Sequence, residues 1–149
     1  MNLKEALIEN NSISLQCEAK DWKDAIKLGT NLLEKSGAIT EDYYHAIVEN
    51  TQKYGPYYII IPGVAMPHAR PEAGVIKDSF SLITLKEPVI FEKDGAKEEV
   101  YILITLAATS AENHNEFGIV QVADLFEEEN NIEKIKLAKN PEEILNLIR

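Results

Sequence analysis

The chemistry this chain could perform is concentrated in one segment, Pro62-Gly63-Val64-Ala65-Met66-Pro67-His68-Ala69-Arg70-Pro71. Three prolines fall within these ten positions. Proline fixes φ and lacks an N–H, and it restricts the residue before it, so the run cannot be helical and has little freedom. It presents His68, with Arg70 two residues on. A neutral imidazole is a competent nucleophile near pH 7, because an unperturbed pKa of about 6.5 leaves much of it unprotonated. Attack on phosphorus would form a reactive N–P bond that readily passes the group on. That task needs neither a metal nor a triad, but it needs cations or oriented N–H groups for the phosphoryl oxygens. The planar fork of Arg70 suits those oxygens.

His114 is the second candidate, in Thr109-Ser110-Ala111-Glu112-Asn113-His114-Asn115-Glu116. It follows an apolar strand and opens a helix, where unpaired backbone N–H groups favour an anion. If the strands ending at Ile61 and Leu106 are neighbours, His68 and His114 emerge at the same sheet edge. The residues alone leave other readings open. A histidine in a proline-rich loop can be a turn or packing residue. Two histidines can bind zinc only with further N, S or O ligands, and no H-x-x-x-H or C-x-x-C spacing is present. His45 reads as a surface residue, and Tyr43, Tyr44, Tyr57 and Tyr58 as core and shell. The one cysteine, Cys17, reads as a small buried hydrophobe.

The elements around these residues follow from periodicity and caps. A short helix is expected over Leu3–Glu9 and a brief strand over Ile13–Leu15. Asp21 caps a helix whose apolar positions Trp22, Ala25, Ile26, Gly29, Leu32 and Leu33 share one face, with Gly37 as its stop. Thr40 caps the next, with Tyr43, Tyr44, Ile47, Val48 and Thr51 inward, ending before Gly55-Pro56. Tyr57–Ile61, Phe80–Leu85 and Val100–Leu106 read as buried strands, the last two joined by a hairpin-like excursion through Glu92-Lys93-Asp94-Gly95. A helix is expected from Ser110 through Phe126. Asn140-Pro141-Glu142-Glu143 then opens a last helix docked by Ile144, Leu145 and Ile148. Two helices, three strands and more helices predict an α/β fold with a central mixed β-sheet sandwiched by helices, as one domain over residues 1–149.

Composition narrows the partners. The net charge is −10, and no cluster of lysine and arginine offsets it, so nucleic acid and anionic lipid surfaces are disfavoured. No apolar run is long enough to span a bilayer, and no basic segment leads into an apolar stretch at Met1–Glu5. A single cysteine fits a reducing compartment, so a cytoplasmic location without membrane insertion is expected. A partner surface is expected at the apolar rim of His68, on Val64, Ala65 and Met66, small enough for transient binding.

The stretch Gly63-Val64-Ala65-Met66-Pro67-His68-Ala69-Arg70 resembles the active-site motif of the mannitol/fructose-type (type 2) IIA domains of the bacterial sugar phosphotransferase system. The resemblance spans nearly the whole chain. It includes the Trp22-Lys23-Asp24-Ala25-Ile26 helix and a second histidine forty-six positions after the first, from 68 to 114. Tyr54-Gly55-Pro56-Tyr57, the run from Pro62 to Val75, Gly118-Ile119-Val120-Gln121 and Leu125-Phe126-Glu127 resemble the L-ascorbate-specific branch. The resemblance implies a mixed sheet between helices, phosphorylation of His68 and assistance from His114. It implies the phosphohistidine carrier protein HPr as donor, a cysteine of the cognate IIB component as acceptor, an indirect link to the IIC permease, and no cofactor. Other implied roles are a nitrogen-type regulatory module or a IIA component for mannitol, fructose or galactitol. Two departures stand out. Many members carry an arginine near the end of the second helix, where this chain reads Glu49-Asn50-Thr51, and Arg70 is expected to take over its charge. Many also carry glycine after the active histidine, where Ala69 would be strained if φ were positive.

Overall fold

Local signals start and stop the helices on the first face. The computed structural model describes residues 2–148, without the side chains of residues 116 and 117. The Asn2 side chain accepts from the Glu5 N–H and opens α1 (Leu3–Glu9). Asp21 Oδ1 does the same for Asp24 at 2.9 Å and opens α2 (Trp22–Lys35), which ends before Gly37 at φ +82°. Thr40 holds the N-cap position of α3 (Glu41–Tyr54), but its side chain makes no capping bond. Its hydroxyl packs instead over the Cα of Gly74, where a Cβ would lie 2.5 Å from Oγ1. Its own N–H donates to the Gly74 carbonyl at 2.8 Å.

Five strands form one mixed sheet in the order β1-β4-β5-β3-β2. They are β1 (Ile13–Cys17), β2 (Ile59–Ile61), β3 (Gly63–Ala65), β4 (Ser79–Lys93) and β5 (Ala96–Ala107). The pairs β1·β4 and β3·β5 are parallel, whereas β4·β5 and β2·β3 are antiparallel. The β4–β5 hairpin turns at Asp94 and Gly95, both with positive φ as a two-residue primed turn requires. Ser79–Leu85 of β4 and Ile102–Ala107 of β5 are buried on both faces, which is why these stretches are mostly apolar, broken only by serine and threonine.

One core layer packs Ile26, Leu33, Tyr43 and Ile47 of α2 and α3 against Ile83 and Leu103. The other packs Leu3 and Leu7 of α1 and the C-terminal helices α4 (Val120–Leu125), α5 (Asn131–Leu137) and α6 (Pro141–Leu145) against Phe80, Leu82 and Ile104. The expected helix–sheet–helix sandwich is the observed one. Asn140 and Glu143 form the expected capping box at α6.

Three expectations need correction. The strand expected over Tyr57–Ile61 is paired only from Ile59, and the Tyr57 side chain is exposed. The proline-rich segment is not all loop, because Gly63–Ala65 forms β3 and wedges between β2 and β5. The helix expected from Ser110 is π-wound over Asn113–Ile119 before it continues as α4. There Gly118 lies so closely against Leu106 that a Cβ would collide with the leucine side chain. Among the described residues, no helix is long and apolar enough to cross a membrane.

Candidate functional site

His68 emerges where β3 runs out, beside the C-terminal end of its parallel neighbour β5. The insertion of β3 means that the strands ending at Ile61 and Leu106 are not neighbours, yet the two histidines still converge. The β3 chain carries His68 to the sheet edge, and β5 delivers the helical segment that holds His114. Their ring centroids are 4.4 Å apart with planes tilted by 59°.

The imidazole of His68 has a defined tautomer. Its Nδ1 lies 2.8 Å from the Met66 carbonyl oxygen, which can only accept, so Nδ1 carries the proton. Nε2 is then left with its lone pair. Burial pushes the His68 pKa below its ordinary value; the Met66 carbonyl opposes this, and charge on His114 adds to it. The ring is therefore held neutral, the form that attacks phosphorus.

His114 is anchored by its own N–H, which donates to the Ser110 carbonyl at 2.9 Å. Asp78 holds that turn from across the chain, accepting from the Thr109 N–H at 2.7 Å and from Asn113 Nδ2 at 3.0 Å. His114 Nδ1 lies 3.3 Å from Asn115 Oδ1, whereas Nε2 is buried with no hydrogen-bond partner among the described residues. A buried ring nitrogen without a partner, facing a second imidazole, is a place where an atom of a bound group could complete the hydrogen bonding.

Both histidines line a cleft of about 790 Å³. Its wall is built partly of alanines, Ala46, Ala73, Ala108 and Ala111, whose methyl groups leave the space over the imidazoles open. Asn50, Tyr54, Tyr57, Arg70 and Asn115 supply the polar lining. Arg70 is exposed at the cleft and has no carboxylate partner among the described residues. Ala69 lies outside the left-handed region, so alanine after the histidine carries no backbone strain.

The expected contact surface on Val64, Ala65 and Met66 is contradicted. Their exposures are 0%, 0% and 1%, because β3 is an interior strand with helices over both faces. The exposed apolar groups at the cleft are Tyr54 and Tyr57. His45 lies on the surface, 3.6 Å from Glu41. Cys17 is half-buried against the core, its sulfur 3.2 Å from Ser14 Oγ. No group of three or more His, Cys, Asp or Glu side chains that could hold a metal comes together among the described residues.

The sequence reading missed the tyrosines. Tyr43 Oη donates to the Leu106 carbonyl at 2.6 Å and accepts from the Ala69 N–H at 3.0 Å. Tyr57 Oη donates to the His68 carbonyl at 2.6 Å. The rings of Tyr57 and Tyr58 stand edge-on to the imidazole at 5.3 and 6.4 Å. Adjacency of Tyr57 and Tyr58 to the proline-rich segment was the only available signal.

These features agree with comparisons to known proteins. A family model described as phosphoenolpyruvate-dependent sugar phosphotransferase system, EIIA 2, matches residues 6–149. The ascorbate-specific PTS system EIIA component of Escherichia coli is 46% identical over 148 residues, covering 99% of this chain and 96% of its own. The crystal structure of PtxA from Streptococcus mutans superposes with a TM-score of 0.94 at 53% identity, covering 99% of this chain and 93% of that one. The solution structure of the mannitol-specific cryptic phosphotransferase enzyme IIA CmtB from Escherichia coli gives 0.86 at 36% identity, with coverage of 99% and 98%. With a family match over nearly its whole length and two histidines meeting at one sheet edge, the chain belongs to the EIIA type 2 family of the phosphoenolpyruvate-dependent sugar phosphotransferase system.

Proposed function

We propose that this chain is the phosphoryl carrier of an L-ascorbate uptake system, acting in the cytoplasm as a single domain with His68 Nε2 as the acceptor. The observation that carries the reading is the Nδ1–H bond to the Met66 carbonyl, which leaves Nε2 as the nucleophile beside His114. The donor is phosphorylated HPr, and the acceptor is a cysteine of the IIB component that serves the IIC permease. The ascorbate assignment rests on the similarity to the Escherichia coli ascorbate-specific component.

The step balances without a cofactor. The Nε2 lone pair forms the new N–P bond as the donor's N–P bond breaks and returns its electron pair to the donor imidazole. The His68 ring then carries a positive charge, which its Nδ1–H shares with the Met66 carbonyl. Onward transfer breaks Nε2–P and restores the neutral ring, with phosphorus passing to the thiolate of IIB. His114, once protonated on Nε2, donates to a phosphoryl oxygen. Arg70 contributes the second cation from the cleft mouth.

Incubation with HPr, the general enzyme I and phosphoenolpyruvate tests this directly. The chain should acquire an acid-labile, base-stable label, and His68→Ala should abolish it. A label retained in that variant overturns the acceptor. Arg70→Ala should slow acceptance, and an unchanged rate refutes its role. Draining of the label by an ascorbate-type IIB in preference to a mannitol-type IIB tests the sugar.

A further inference from the structure

Two tyrosine hydroxyls hold the His68 main chain where ordinary strand pairing ends. In the β3·β5 ladder Ala65 lies opposite Leu103, so the same parallel register puts His68 opposite Leu106. One rung is intact, with the Leu106 N–H donating to the Pro67 carbonyl at 3.0 Å. The return rung, from the Ala69 N–H to the Leu106 carbonyl, is opened and bridged by Tyr43 Oη, which bonds both groups.

The other edge of this segment lacks a backbone donor altogether. The Met66 N–H donates to the Tyr58 carbonyl at 2.9 Å. Continuing that antiparallel pairing places Pro56 opposite His68, and proline has no N–H to give. Tyr57 Oη occupies the missing position and donates to the His68 carbonyl at 2.6 Å. The neighbouring tyrosine is held from the last turn of α3. Thr51 Oγ1 donates to the Ile47 carbonyl at 2.7 Å, so Tyr58 Oη donates to Thr51 Oγ1, also at 2.7 Å. The rings of Tyr57 and Tyr58 both stand edge-on to the imidazole.

We infer that Tyr57 is a positioning residue for phosphoryl transfer: its hydroxyl fixes the His68 carbonyl and its ring edge fixes the imidazole. This rests on His68 being the phosphoryl acceptor. The His68 ring is bonded to the carbonyl of Met66, two residues back along its own backbone, so any swing of the His68 peptide disturbs the Nδ1–H bond. Loss of that bond releases the tautomer and lets Nε2 turn from the cleft. Burial raises the Tyr57 pKa, so the hydroxyl keeps its proton at neutral pH.

Tyr57→Phe keeps the ring and removes the hydroxyl's bond to the His68 carbonyl. The steady-state rate of phosphoryl acceptance from phosphorylated HPr should fall about tenfold, a modest part of what an ångström of misplacement can cost. That loss should lie in kcat with KM for the donor unchanged. Nitrogen-15 NMR of the unphosphorylated imidazole should change from one Nδ1–H tautomer to a mixture. The thermal midpoint should move by only a few degrees, because the Tyr57 side chain is 43% exposed. A wild-type rate, a rise in KM with kcat intact, or a slowed variant whose tautomer spectrum is unchanged each overturns the proposal. The tautomer readout needs no phosphoryl transfer, so failure of the positioning role is separable from a wrong acceptor, which His68→Ala reports.

Discussion

Replacing Tyr43 with phenylalanine deletes one oxygen from the interior and opens two hydrogen bonds at the base of the site. Tyr43 is fully buried, and its hydroxyl joins the Leu106 carbonyl to the Ala69 N–H. Burial pushes its pKa well above the ordinary value, so it is a neutral donor at every working pH. Phenylalanine fills the same ring volume, so no cavity larger than a hydroxyl forms. The cost comes from the orphaned partners. Leaving the buried Leu106 carbonyl unsatisfied costs about 1–3 kcal/mol, and the part-buried Ala69 N–H adds about 1 kcal/mol. A total of about 2–4 kcal/mol follows, which for a chain of this length lowers Tm by roughly 5–15 °C. Urea unfolding followed by far-UV circular dichroism, with calorimetry for Tm, measures it. The m-value should hold, since the surface exposed on unfolding is unchanged. A loss below about 1 kcal/mol would refute the claim that this hydroxyl bridges the β3·β5 rung.

Two further predictions concern charge and packing. Because burial depresses the His68 pKa, the neutral imidazole persists below pH 6.5, and the acid limb of the acceptance rate should have its midpoint under that value if His68 is the acceptor, as proposed. Linkage has the same sign: on acidification the unfolded chain binds this proton first, so the His68 contribution is intact above pH 6.5 and is lost as pH falls through the folded pKa. An imidazole proton titration with a midpoint above 6.5 refutes both statements. Gly29→Ala should destabilise despite alanine's helix propensity, because its Cβ would lie 2.6 Å from Thr105 Oγ1 and 3.3 Å from Ser81 Oγ. Overpacking of about 1–3 kcal/mol outweighs a propensity gain of about 1 kcal/mol, and a raised urea midpoint would show the helix–sheet contact to be looser.

Much of the site was legible because its carriers have local signatures. Prolines around His68 announce a stiff segment, and Ser110 through His114 announce a strand-to-helix junction. The expectation for Val64, Ala65 and Met66 failed because a three-residue strand is too short to show a period. Flanked by prolines, it reads as loop, and an apolar loop beside a histidine reads as surface. Its burial follows from pairing with β5, more than thirty residues later in the chain. The π-wound turn was equally hidden, since the sequence reads as ordinary helix up to Phe126.

Thr40 shows the same limit at a cap. The residue type and position were right, but the hydroxyl faces Gly74 instead of the helix, a choice made by a segment more than thirty residues away. The roles of Tyr43 and Tyr57 depend on contacts 63 and 11 residues distant in sequence. Side-chain type says only that a tyrosine can donate and accept, not to which group.

By itself the sequence determined the helix starts at Asp21 and Asn140, a turn within Glu92-Lys93-Asp94-Gly95 and the sandwich class, and it singled out His68 and His114 as candidates. The caps and the turn depend on residues a few positions apart, where backbone sterics and capping bonds act without help from the rest of the chain. Tertiary structure alone decided that β3 inserts beside β5 and that His68 and His114 meet across 4.4 Å. It also decided which imidazole nitrogen stays bare, because that is set by the Met66 carbonyl and by hydroxyls brought in from α3 and the turn before β2. Such pairings form only when distant segments share one sheet edge, and no local pattern encodes that meeting.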